Sequence, residues 1–128
     1  MTLIPTYRAK SNERKNTYVE GLLIGVDEEL GLCTIRTKDD YIGGEVCYLH
    51  TLSINFPDML DSQGNKIFAS LQEDGRGGDI FILGDIRLKY IAMIRKNQLM
   101  AKQQGTYGSF IGQGYATVDK WKSIGIQQ

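Results

Sequence analysis

Ile86-Arg87-Leu88-Lys89-Tyr90-Ile91-Ala92-Met93-Ile94-Arg95-Lys96-Asn97-Gln98-Leu99-Met100-Ala101-Lys102-Gln103-Gln104 contains neither glycine nor proline, and its reading decides whether the chain is all-β or mixed. Ile86, Tyr90, Met93, Ile94, Met100 and Ala101 fall at i, i+4, i+7, i+8, i+14 and i+15, one face of a 3.6-residue period. Asp85 stands where an N-cap would accept a backbone N–H, Gly105 where the chain would leave the helix, and Lys102 near the negative end of its dipole. The competing pattern takes Ile86, Leu88 and Tyr90 as strand alternation, since short apolar runs suit both periods. A helix over 86–104 is the expectation carried forward.

Upstream of this stretch the signals are those of strands. Thr17-Tyr18-Val19-Glu20-Gly21-Leu22-Leu23-Ile24 is β-branched and aromatic, with Leu22, Ile24 and Val26 on one period-2 face. It follows the polar turn Ser11–Asn16 and ends at Asp27-Glu28-Glu29. Gly31–Arg36 is a second short strand, and Gly43-Gly44 precedes a third that begins at Glu45 and must stop near Pro57, which has no N–H for the ladder. Asp61-Ser62-Gln63-Gly64-Asn65 has tight-turn chemistry with Lys66–Ala69 as the returning strand, and Ile80–Leu83 reads as a buried one. Close-spaced short strands predict a mainly β fold, a small antiparallel barrel-like sheet, with the C-terminal helix making it α+β overall.

The chain has 128 residues, 41% of them hydrophobic and 23% charged, a size and composition suited to one compact unit. Residues 1–84 form the β-rich core in this reading, and 85–128 a basic helix and a Gly/aromatic tail packed on it. No apolar run approaches the ~18–20 residues of a membrane helix, so no membrane partner is expected. Met1 to Pro5 lacks the basic start and apolar core of a secretory signal, which predicts a cytoplasmic protein with Cys33 and Cys47 as thiols.

Charge is balanced only in total. Residues 1–85 carry eight basic and fourteen acidic side chains, whereas 86–128 carry seven basic side chains and Asp119 alone. The basic third can meet an external polyanion or the acidic part of its own or a neighbouring subunit, and the zero net charge favours the second. Arg87, Lys89, Arg95, Lys96 and Lys102, with Tyr107, Phe110 and Trp121 nearby, pair cations with aromatics as single-stranded nucleic-acid binders do. A solvated basic face docked on an acidic body is the plainer account of the same residues.

Other constellations are thinner. Cys47-Tyr48-Leu49-His50 has ligand-like spacing, but one His and two Cys are too few for a closed zinc site, so neither metal nor cofactor is expected. The loop Gly75-Arg76-Gly77-Gly78 lacks the Gly, Lys and Ser/Thr order of a phosphate-binding loop and reads as a hairpin connection. No nucleophile with a base and an orienter is legible, and no catalytic residue is assigned.

Two stretches carry a resemblance. Tyr7-Arg8-Ala9-Lys10 with Tyr18-Val19-Glu20-Gly21-Leu22, and Asp61-Ser62-Gln63-Gly64-Asn65-Lys66-Ile67-Phe68 with Gly78-Asp79-Ile80, resemble the YopX-like family of phage and prophage proteins. The resemblance implies a small β-barrel encoded by a mobile element and acting in the bacterial host, and it carries over no functional residue. Together these readings predict a non-enzymatic accessory protein that self-associates or binds a host or phage protein, with nucleic-acid binding as the alternative.

Overall fold

The computed structural model describes residues 4–37, 43–83, 89–95, 98–104, 110–112 and 121–128. Among them lie eleven strands: β1 Thr6–Lys10, β2 Tyr18–Asp27, β3 Leu32–Arg36, β4 Glu45–Tyr48, β5 Ser53–Asn55, β6 Ala69–Ser70, β7 Asp79–Leu83, β8 Tyr90–Arg95, β9 Gln98–Gln103, β10 Phe110–Gly112 and β11 Trp121–Ile126. They follow one another through a curled, half-barrel sheet in the order β10-β9-β8-β6-β5-β1-β2-β3-β4, with β7 pairing both β8 and β11. All these pairings are antiparallel except β6 with β8. No described helix is long and apolar enough to cross a membrane.

The helix expected over 86–104 is corrected where the chain is described. Tyr90–Arg95 and Gln98–Gln103 are two strands paired in register from Tyr90↔Gln103 to Arg95↔Gln98. Tyr90, Ala92, Leu99 and Ala101 face a core that also holds Met59, Ile67, Ala69 and Phe81. On the opposite face Ile91 and Met93 are also buried, lying against Gly75 of the glycine loop. A strand covered on both faces shows no polar alternation, so its apolar run matched a helical period by coincidence. The proposed caps Asp85 and Gly105, and Ile86, lie outside the described residues. Within the tail, Trp121–Ile126 is β11, paired antiparallel with β7.

A second core sits at the other end of the sheet, built from Ala9, Val19, Cys33, Ile35, Cys47 and Leu52. Here the strand expectations hold in part, since the run expected from Glu45 toward Pro57 is broken into β4 and β5 by the 3₁₀ turn Leu49–Thr51. Val19 is buried beside Ala9, its partner in the register, whereas Leu22 and Ile24 are exposed on the opposite face and Val26, past the irregularity, is exposed on the face of its partner Cys33. The ladder between β2 and β3 shifts register between Leu23 and Gly25, and this irregularity breaks the simple alternation that the sequence displays. The turns behave as their chemistry dictates. Asp61 Oδ1 accepts from the N–H groups of Gln63 at 2.9 Å and Asn65 at 2.8 Å, and Gly64 takes φ +82°.

Candidate functional site

The β2–β3 hairpin presents the largest grouping of exposed apolar side chains in the described structure. Leu22 is 47% exposed, Ile24 42%, Val26 50% and Leu30, at the hairpin tip, 70%. Leu22 and Ile24 share one face of the hairpin while Val26 stands opposite Cys33 on the other, so Leu22 and Ile24 are the exposed apolar surface of their face, and such surface marks contact sites. The backbone adds a second feature. β2 pairs with β1 over Tyr18–Gly21 and with β3 over Leu22–Asp27, so each half of this long strand has a described partner on only one edge. An edge with spare N–H and C=O groups accepts a further strand.

A groove of about 440 Å³ flanks the hairpin, lined by Ile4, Pro5, Thr6, Glu20, Gly21, Leu22, Arg36, Thr37 and Lys66. Gly21 is required at its floor, since a Cβ there would stand 2.1 Å from the Arg36 carbonyl oxygen. Arg36 is already engaged through Nε, which donates to the Gly43 carbonyl at 3.1 Å. The groove therefore offers an apolar lip with Glu20 and Lys66 of opposite sign.

The sheet assembles part of the basic strip. Lys89, Arg95 and Lys102 have the same parity on β8 and β9, because Lys102 stands opposite Ile91, and so they share one face with Met93 and Met100. Arg95 and the Ile91–Lys102 pair are about 13 Å apart along the strands. Phe110 is the register partner of Lys102. Trp121 of β11 pairs with Leu83 of β7, four strand steps or about 19 Å along the sheet from β10. Arg87, Lys96 and Tyr107 lie outside the described residues.

The remaining candidates serve the fold. His50 is exposed on the 3₁₀ turn Leu49–Thr51 rather than in a continuous strand, with its ring 5.4 Å from that of Tyr48. Among the described residues no group of three His, Cys, Asp or Glu converges on one point. The glycine loop has no spare donors: the N–H of Gly75 goes to Gln72 O, Arg76 to Asp74 Oδ1, Gly77 to Gln127 O and Gly78 to Gly75 O. It clasps the C-terminal strand rather than an anion.

A buried ion pair was not legible in the sequence. Arg8 Nη2 donates to Asp79 Oδ1 at 2.8 Å and to Gly77 O at 2.9 Å, while Asp79 Oδ2 accepts from Phe68 N–H at 2.8 Å. The guanidinium lies 4.4 Å from the centre of the Phe68 ring and 5.7 Å from that of Tyr18. Burial pushes the Asp79 carboxyl up from its ordinary value, with Arg8 and the Phe68 N–H opposing it.

Comparison with protein-family models, with curated proteins and with solved structures finds no match.

Proposed function

We propose that this chain is a non-enzymatic interaction module of the YopX-like phage type that associates with a second copy of itself through the β2–β3 hairpin. The observation that carries this reading is the outward turn of Leu22 and Ile24, two neighbouring side chains that the adjoining strands leave exposed on one face of the hairpin. Burying them against an identical hairpin removes apolar surface from water at about 25 cal/mol per Å². A two-fold axis repeats the same patch on both partners, so a hairpin rich in apolar side chains complements itself. The opposite charge of residues 1–85 and 86–128 adds an attraction between copies.

Light scattering across a concentration series tests association. The wild-type chain should run as a dimer at tens of micromolar, roughly the range that saturates a Kd near 1 μM. Leu22→Ser combined with Ile24→Ser should return it to a monomer with its fold intact. A monodisperse wild-type monomer would overturn the reading.

A further inference from the structure

We infer that Cys33 and Cys47 form a modification site, a dithiol that closes to an intramolecular cross-strand disulfide when a low-molecular-weight disulfide oxidises it. The two residues are direct register partners on β3 and β4, and both side chains are buried in the same core. The hydrogen-bond pattern fixes their spacing. Leu49 N–H donates to Gly31 O, which makes Gly31↔Leu49 a hydrogen-bonded pair, and strict alternation along the ladder makes Cys33↔Cys47 another. The opposite edge of β4 agrees, because Asn12 N–H donates to Val46 O, so Val46 turns its backbone toward Asn12 and Cys47 turns its own toward Cys33.

A hydrogen-bonded antiparallel pair holds its Cα atoms about 5.5 Å apart, inside the roughly 4.4–6.8 Å range that disulfides span. The Cβ atoms of facing residues stand about 4.5–5.5 Å apart, wider than the ~3.8 Å mean of a relaxed bridge. The bond therefore draws the strands together and stays readily reducible, the property of labile rather than structural disulfides.

The site is guarded by burial. Cys47 Sγ lies 3.5 Å from the Glu45 carbonyl oxygen, and burial lifts the Cys33 thiol to about 11 and the Cys47 thiol to about 12. Reaction consequently requires β4 to lift, and β4 ends the strand path, its far edge held by the Ser11↔Cys47 bridge and by the exposed Arg14–Glu45 ion pair rather than by another strand among the described residues. One thiolate then attacks a sulfur of RS–SR and expels RS⁻. The second thiolate attacks the resulting mixed disulfide at the protein sulfur and expels another RS⁻. The two cysteines lose two protons and two electrons, and the oxidant leaves as two RSH.

Oxidised glutathione is the probe. The folded chain is incubated with it, unfolded, alkylated and cleaved with trypsin, which places Cys33 in Asn16–Arg36 and Cys47 in Asp39–Lys66. The expected result is these two peptides joined, an intact chain lighter by two hydrogens, full reversal by dithiothreitol, and a Tm that moves by several degrees on oxidation. Cys33→Ser and Cys47→Ser should each abolish the joined peptide while keeping the reduced fold. Two alkylated thiols after incubation of the folded chain, or a bridge found only between two chains, would overturn the assignment.

Discussion

Arg8 and Asp79 are 71 residues apart in sequence and bonded at 2.8 Å in the core, which ties β1 directly to β7. A charge pair taken out of water is costly unless its remaining donors and acceptors are met, and here Gly77 O and Phe68 N–H meet two of them. Removing one partner leaves the other charged and buried. Asp79→Ala should therefore destabilise the fold by about 3–5 kcal/mol, while Arg8→Met with Asp79→Leu should recover most of that loss. Urea unfolding of the three chains measures both values. A single variant costing under ~1 kcal/mol would show that the pair is solvated.

Acid sensitivity should trace to Asp61. Burial works against its charge, but the N–H groups of Asn65, Gln63 and Ser123 more than offset this and hold its carboxyl below the ordinary value. A carboxylate with a lowered folded pKa contributes stability that is present above the unfolded value of about 3.9 and lost as pH falls through the folded one. Unfolding followed from pH 5 downward should thus show wild type losing stability over that window. Asp61→Asn, which does not titrate, should show a flatter acid limb, and equal slopes would remove Asp61 as the cause.

How much of this was legible depends on which neighbours decide each element. Turns are local, and the Asp61–Asn65 turn and the Ser11–Asn16 connection follow directly from Asp, Asn and Gly chemistry. The strand class of residues 17–83 is equally readable from β-branched and aromatic content. Residues 90–103 are not, because Ile91 and Met93 are apolar for the sake of the glycine loop that covers them, a contact some sixteen residues away in sequence. Leu22, Ile24 and Val26 read as one face, but the irregularity between Leu23 and Gly25, which exists only in the pairing with β3, moves Val26 to the face of Cys33. Arg8 and Asp79 look like ordinary surface charges until β1 and β7 are brought together. The basic strip is readable as composition, yet its aromatics are parted by the sheet order.

Two glycines with the same backbone sign should respond differently to alanine. Gly64 sits at φ +82° in open space, so Gly64→Ala meets only the left-handed backbone penalty of about 1–2 kcal/mol. Gly77 sits at φ +86°, and a Cβ there would lie 2.0 Å from Thr51 O. Because that obstacle is backbone, Gly77→Ala must displace the 3₁₀ turn or the loop, and it should cost more than 3 kcal/mol or prevent folding. Thermal unfolding of both variants gives the comparison, and equal losses would contradict the close approach.

Ala92 and Ala101 face each other across β8 and β9, and both are fully buried in the core. Small residues here let Met59, Ile67 and Phe81 approach the hairpin. Ala92→Leu adds volume without room and should destabilise by about 1–3 kcal/mol. On a solvated helix the same change would be nearly neutral, so a value under ~0.5 kcal/mol would argue against the paired strands.

The face shared by Lys89, Arg95 and Lys102 separates association through charge from binding of an external polyanion. Three phosphate contacts would make log K for a single strand fall with log salt at a slope of about −2, from the −0.7 expected per phosphate. Stacking would add about 1–3 kcal/mol per base that salt does not remove. The expected result is no binding of single-stranded DNA at ~50 mM salt, where electrostatic attraction is strong. Arg95→Glu should instead loosen the dimer at low salt, and the difference from wild type should shrink as added salt shortens the Debye length to about 10 Å at 0.1 M. Measurable DNA affinity with a slope near −2, abolished by Arg95→Glu while the dimer persists, would transfer this face to nucleic-acid recognition.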